Sequence, residues 1–239
     1  MTMPEALFSE LLAAQPSRPF VTYYDESTGE RAELSARSLA NWVAKTHHLL
    51  GDELGLGVGD LALIALPAHW ISVPAVLGCL TAGLALTTDD IAADVAFAAP
   101  ATLASCAGVP DIYAIATESP AAGFREAVPA GANDYVAAVR PQGDVWSGVQ
   151  FPASAADPCL GGLTRAEVVS AASQRAGELG LSAGTRAICT RDWTGPADWM
   201  DTLLAPLAVG GSVVYVRNCP DHATLARRAA QEQATVTIR

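Results

Sequence analysis

The sequence predicts an α/β protein made of two similar layered β-α subdomains with mostly parallel sheets. Three observations carry that expectation. Half of the 239 residues are apolar (51%), enough to bury a large core. Strand-length apolar runs bounded by glycines alternate with helix-period stretches, the signature of β-α units. Finally, one order of elements occurs twice, from Leu34 and again from Leu163: capped helix, glycine turn, strand, tryptophan, apolar helix, glycine, strand.

The N-terminal stretch MTMPEALFSELLAAQ carries Glu5 and Glu10 and no basic region, so it reads as a short amphipathic helix rather than a signal peptide. Next, VTYYDESTGERAEL places β-branched and aromatic residues on either side of Ser27-Thr28-Gly29, as in a hairpin. In ARSLANWVAKTHHLL, Leu39, Trp42, Val43, Thr46, Leu49 and Leu50 fall at helical spacing, with Ser35 or Ser38 as the cap. Gly55, Gly57 and Gly59 end that helix before the strand LALIAL, and HWISVPAVLGCLTAG reads as a helix stopped by Gly83. No charged residue occurs from Leu61 to Thr88, but Pro67, Pro74 and Gly78 divide the run into soluble-protein elements rather than a membrane span.

Between residues 91 and 150, ATLAS and IYAIA read as short strands, and a helical piece lies near Asn133 to Val139. The second cycle then matches the first, with Gly180 standing for Gly55, Gly184 for Gly59, Ala187 for Ala62, Trp193 for Trp70, and Gly210 or Gly211 for Gly83. The expected division is a first subdomain with its hairpin over 1–150 and a second over 151–239, the two also readable as one compact unit.

Composition excludes several functions. A formal net charge of −11, with Lys45 the sole lysine, argues against a nucleic-acid partner, whose affinity rests on Lys and Arg. Cys79, Cys106, Cys159, Cys189 and Cys219 show no CxxC spacing, so no metal site is expected and buried reduced thiols are. His47 and His48, adjacent on a helix, point about 100° apart and cannot share a metal; they read as solvated. No nucleophile elbow or dinucleotide fingerprint is present, so no catalytic residue is assigned.

The segments LGLGVGD, LPAHW and CLTAG, followed in the second cycle by LTRAEVV, LLAPLAVGGSVVYV and ATVTIR, resemble the N-terminal lobe of the adenylate-forming enzymes, the acyl-CoA synthetases and their AMP-binding relatives. The pattern looks closest to a small actinobacterial group of truncated, uncharacterised relatives. In that family a hydroxyl-rich loop ending in Lys and Gly precedes the LTRAEVV position and wraps ATP phosphates. Here the corresponding FPASAADPCLGGL has no lysine, and it carries Asp157 and Pro158. A former phosphate loop is the expectation, with Gly161, Gly162 and Thr164 the remaining cofactor-binding candidates and no cofactor assigned. Lys45, inside a helix pattern, reads as a snorkelling surface residue rather than a substitute.

Open α/β sheets bind ligands beyond the carboxyl ends of their strands. His69 and Trp70 follow one such strand, and Arg191, Asp192, Trp193 and Gly195 follow the other, near the wall of the family's acyl pocket. His69, Trp70, Arg191 and Trp193 are therefore the ligand-cleft candidates. The burial habits of these residue types point instead to packed tryptophans and a carboxylate partner for Arg191. Other motifs of the family would lie beyond Arg239, which would uncover ATVTIR and invite a homodimer or a heterologous protein partner. The expectation is thus a cytoplasmic, non-catalytic binding or interaction module. The alternative is retained nucleotide or acyl binding in a ligase-like protein completed by another polypeptide.

Overall fold

A computed structural model of the chain describes residues 3–89, 92–118, 123–124, 127–145 and 153–239. The boundary expected at 150/151 lies outside the described residues. In chain order the elements are α1 (Pro4–Ala14), the hairpin β1 (Pro19–Asp25) and β2 (Glu30–Ser35), and α2 (Ala36–His48), which runs on into a π-helical turn (Leu49–Glu53). Then come β3 (Leu61–Ala65), α3 (Ser72–Ala82), β4 (Ala85–Thr87), β5 (Val95–Ala98), a 3-10 helix (Pro100–Cys106), β6 (Asp111–Ala114), β7 (Asn133–Asp134) and α4 (Tyr135–Val139). A second hairpin, β8 (Pro158–Leu160) and β9 (Leu163–Thr164), leads into α5 (Arg165–Glu178) and β10 (Arg186–Cys189). The chain continues with α6 (Pro196–Trp199), a π-helical turn (Met200–Leu204), α7 (Ala205–Ala208), β11 (Ser212–Arg217), α8 (His222–Gln231) and β12 (Val236–Ile238).

The strands form two sheets, ordered β12-β10-β11-β1-β2 and β7-β6-β5-β3-β4-β8-β9. All pairings are parallel except within the two hairpins. The second sheet takes the consecutive strands β3 to β9, whereas the first joins β1 and β2 to β10, β11 and β12 across that whole stretch. Hairpin β1–β2 flanks β11, whereas hairpin β8–β9 flanks β4, so each hairpin joins the sheet whose other central strands come from the opposite half.

This exchange is where the internal repeat becomes visible. Reading inward from each hairpin, β2-β1-β11-β10-β12 and β9-β8-β4-β3-β5 have the same order and the same strand directions. Turn geometry repeats too: φ is +70° at Gly55 and +71° at Gly180, and +99° at Gly59 and +72° at Gly184, a left-handed backbone that favours glycine. The Ala85 amide donates to the Asp60 carbonyl as the Ser212 amide donates to that of Thr185, both at 2.9–3.0 Å.

Period-two alternation sets the layers. Val21 and Tyr23 of β1, Ala187 of β10 and Val213 of β11 face one large core that also takes Ala62, Ile64, Val95 and Phe97 from the other sheet. Their neighbours Tyr24, Ile188 and Val214 turn to the opposite face, under Leu225 and Ala229 of α8. Leu63, Ala96 and Ala98 turn outward beneath Leu103 and Cys106 of the 3-10 helix. Helices α1, α2, α3, α5 and α7 pack on one another around the shared core.

Three local expectations change. ATLAS is not a strand: Pro100 starts the 3-10 turn, and the Thr102 hydroxyl donates to the Ala65 carbonyl, so the segment folds over the end of β3. His47 is not solvated but wholly buried, because the close contact of Gly78 with Thr46 draws α2 onto α3. Burial pushes its pKa down to about 4, with the neighbouring His48 adding to the effect. Lys45 does not snorkel freely; its ammonium donates to the carbonyls of Arg140 and Gln142 and pairs with Asp144 at 2.9 Å. All five cysteines are free thiols, four of them buried.

Candidate functional site

The carboxyl ends of the strands of both sheets face a cleft of 640 Å³, within the usual range for small-molecule sites. One wall comes from the first sheet: Asp25 ends β1, Glu30 begins β2, Arg217 ends β11, and the loop after β10 supplies Asp192 to Gly195. The other comes from the second sheet, through the loops after β3, β4, β5 and β6 that carry Pro67, Thr88, Thr102, Thr117 and Glu118. Parallel strands explain the convergence, since every parallel strand delivers its following loop to the same edge.

Asp25 and Glu30 stand directly opposite each other across the hairpin. Like charges in that position repel. Neither makes an ion pair among the described residues; both are held by neutral donors. The Asp25 carboxylate accepts from the Ser27 amide at 2.8 Å, the Ser27 hydroxyl at 2.7 Å and the Asn218 amide at 2.9 Å. Burial alone would raise its pKa, but those hydrogen bonds prevail and hold the carboxyl below the usual range. Among the described residues the Glu30 carboxylate accepts only the Trp70 indole N–H, at 3.1 Å. Burial raises its pKa against that bond, and the charge of Asp25 raises it further.

Among the described residues Arg217 is the single cation lining the cleft, and it faces Asp192 at 3.6 Å. Asp192 in turn clamps two backbone amides, Ala68 at 2.6 Å and Trp193 at 2.8 Å, which joins the loop after β3 to the loop after β10. Next to it, Thr194 donates its hydroxyl and its amide to Asp198.

The sequence-expected cleft residues separate into two groups. Trp193 borders the cleft, and its indole donates to the Thr202 hydroxyl at 2.9 Å. Arg191 is drawn away to Asp201, at 2.6 Å, and to Asp198, at 3.5 Å. His69 and Trp70 lie behind the hairpin wall. Trp70 packs edge-on to Trp42 and reaches Glu30, while the His69 ring lies 4.3 Å from that of Tyr23. Burial pushes His69 down to about 3, and Arg217 adds to the depression. Its Nδ1 accepts from the Ile71 amide at 3.3 Å, so a neutral ring carries its proton on Nε2. The packed tryptophans and carboxylate-paired Arg191 agree with the burial habits of these residues.

Gly161, Gly162 and Thr164 form a separate place on the second hairpin. Gly161 and Gly162, with φ of +58° and +81°, make the two-residue turn between β8 and β9, a conformation that two glycines adopt without strain. Thr164 caps α5, its hydroxyl accepting from the Glu167 amide. The Glu167 carboxylate closes the box by accepting from the Thr164 amide at 2.8 Å and the Thr164 hydroxyl at 2.7 Å. Asp157 accepts from the Ser154 amide, and Pro158 pairs with Thr164 in the ladder. Phe151 and Pro152 of the same stretch lie outside the described residues.

Sequence reasoning passed over Asp25, Glu30, Thr102, Glu118, Arg217 and Asn218. Their shared signal is position: each lies at or just beyond a strand end, next to a turn, and the pairing that gathers them spans nearly 200 residues.

No family model matches the chain. A Mycobacterium tuberculosis protein described as a TIGR03089 family protein is 39% identical over 244 residues, covering 98% of this chain and 97% of that protein. Among solved structures, an acyl-CoA synthetase from Brucella canis matches with a TM-score of 0.76 at 14% identity, covering 99% of this chain and 47% of its own. The acetoacetyl-CoA synthetase from Streptomyces lividans matches with 0.75 at 17% identity, covering 98% and 41%. An anthranilate CoA ligase in complex with anthranoyl-AMP matches with 0.68 at 15% identity, covering 89% and 43%. The chain spans less than half the length of these three structures and shares the fold of the N-terminal lobe of the adenylate-forming enzymes. With more than a third of its residues shared along nearly the full length of the mycobacterial protein, the chain belongs to the TIGR03089 family.

Proposed function

We propose that this protein is a small-molecule-binding module on the adenylate-forming scaffold that does not itself form an adenylate. The observation that carries this reading is the electrostatics of the cleft. Among the described residues four carboxylates, those of Asp25, Glu30, Glu118 and Asp192, line it against the one guanidinium of Arg217. A triphosphate would meet a field of its own sign there, unscreened by any lysine. A second support comes from the hairpin that stands at the family's phosphate loop. Its turn is two residues long, and the donors at the start of α5 are already engaged: the Thr164 amide and hydroxyl and the Glu167 amide by the capping box, and the Arg165 and Ala166 amides by the carbonyls of Asp157 and Ala155. An anion would have to displace the Glu167 carboxylate to gain the Thr164 amide and hydroxyl, and the Thr164 hydroxyl oxygen to gain the Glu167 amide. These residues do not fit a nucleotide phosphate.

What the cleft offers a ligand is acceptors and hydroxyls: two carboxylates held by neutral donors, with Ser27, Thr28, Thr88, Thr102 and Thr117 around them. That lining suits a neutral, polar molecule with several donors. A second reading, a ligase-like protein completed by another polypeptide, is favoured by the shared fold and by the greater length of the three synthetase structures.

The two readings separate in one assay. Purified protein is incubated with ATP, magnesium and a panel of carboxylic acids while pyrophosphate is followed. The expected result is no acid-dependent release and no calorimetric heat of ATP binding up to millimolar ATP. Acid-dependent release above a boiled control overturns the reading. Micromolar ATP binding without turnover transfers support to the completed-ligase alternative.

A further inference from the structure

Away from the cleft, at the opposite end of the first hairpin, α1 and α2 leave a groove of 380 Å³ between them. Each helix lines it with one stripe at three-to-four-residue spacing: Glu5, Phe8, Ser9 and Leu12 on α1, and Arg37, Ala40, Asn41 and Ala44 on α2. Phe8, Val43 and Ala44 form a floor that is nearly wholly buried, and Leu12 and Ala40 rise half-buried at the sides. The space exists because α2 puts alanines where larger residues would close it.

Charge is distributed unevenly along this groove. Glu5 is satisfied by Arg165 at 2.7 Å, and Asp144 by Lys45 at 2.9 Å. Arg37 differs: its backbone amide donates to the Pro16 carbonyl at 2.9 Å, which fixes it beside the end of α1, but its guanidinium makes no ion pair or hydrogen bond among the described residues. It also stands in the first turn of the thirteen-residue α2, where the helix dipole adds to its positive field. An apolar trough closed at one end by an uncompensated cation is complementary to a molecule with an alkyl body and an anionic head.

We propose that the α1–α2 groove is a binding site for a single-chain anionic amphiphile, its alkyl chain lying over Phe8, Leu12, Ala40, Val43 and Ala44 and its head on Arg37. The site is separate from the cleft and stands or falls independently of the reading given for it.

The test is calorimetric titration of the full chain with three molecules of equal tail length, below their micelle-forming concentrations: octyl phosphate, octanol and octylammonium. Octyl phosphate is expected to bind at least tenfold tighter than octanol, and octylammonium weakest. Arg37→Gln, an exposed change whose thermal midpoint should match the parent, is expected to bring octyl phosphate down to the level of octanol. Ala40→Leu, which fills the trough from its half-buried side, is expected to weaken octyl phosphate and octanol alike by tenfold or more. Equal affinity for the three heads overturns the proposal, as does an Arg37→Gln protein that binds octyl phosphate unchanged. Absence of any heat with octyl phosphate at millimolar concentration also overturns it.

Discussion

The two hairpins occupy equivalent places in the repeated topology, yet they have diverged in opposite directions. The first has a loop long enough to carry Ser27 and Thr28 to the cleft rim, and it sets Asp25 against Glu30 in a pairing that opposes its own stability. The second is reduced to Gly161-Gly162, and the Thr164 amide and hydroxyl and the Glu167 amide beside it are taken up by the cap of α5. One scaffold position thus spends stability on an open polar surface, and its counterpart is closed for stability. Repetition of a fold does not repeat its chemistry; the turn between two strands decides that.

The sharpest way to test this contrast is acid. Both buried histidines, His47 and His69, belong to the first half, held neutral with pKa values pushed to about 4 and about 3, whereas His222 in the second half is exposed. The unfolded chain takes up protons on these rings below their ordinary 6.5, while the fold refuses them. Stability must therefore rise with pH between about 4 and 6.5, with a slope approaching ~2.7 kcal/mol per pH unit where both rings titrate. Urea midpoints measured across that window should show it, and His69→Gln should flatten the curve. A parent midpoint that does not change from pH 6.5 to 4.5 would contradict the buried, neutral rings.

A smaller effect compares the two helix starts. Thr164→Ala removes a reciprocal capping box and is expected to cost ~1–2 kcal/mol. Ser35→Ala removes the bonds of that hydroxyl with the Ser38 amide and hydroxyl, each 3.1 Å, but no reciprocal bond to the cap's own amide, and should cost less, ~0.5–1 kcal/mol. Chemical denaturation at neutral pH ranks them, and equal losses would remove the contrast between a closed and a plain cap.

The smallest expected change has the opposite sign. Glu30→Gln keeps an acceptor for Trp70 and ends the repulsion with Asp25, so at pH 7 it should stabilise by ~0.2–1 kcal/mol. Because the folded pKa of Glu30 is raised, its charge weakens the fold as pH climbs through that pKa; the gain should vanish on acidification, where the parent carboxyl is already protonated. A loss at pH 7 would mean that the carboxylate pair is compensated by contacts other than those described.

Much of the fold was legible because it is written locally. The 3.6-residue stripe that buries Leu39, Val43, Thr46, Leu49 and Leu50, the Ser35 cap and the glycines before β3 and β10 are all short-range signals, and each led to the observed element. What could not be read is long-range. Nothing local in VTYY says that it will pair with VVYV some 190 residues later, and without that pairing Asp25 has no reason to be grouped with Arg217 and Asn218. His47 misled for a related reason: a polar ring next to His48 looks solvated until the contact between Gly78 and Thr46 brings α3 over it. ATLAS misled because apolar residues and β-branched Thr102 fit a strand, while the proline before them had already set a helical turn.

The exchange of hairpins between sheets also has a kinetic consequence. Val21 cannot find its partner until Val213 exists, so the first sheet has a high contact order and pays a large loop-closure entropy before its pairing returns anything. On a ribosome, β1 and β2 would emerge as an isolated ribbon, too small to be stable by itself, and would wait for nearly the whole remaining chain. The second sheet, by contrast, draws β3 to β7 from one uninterrupted stretch and can assemble first. Synthesis should therefore pass through a long interval in which one sheet is formed and the cleft has only one wall.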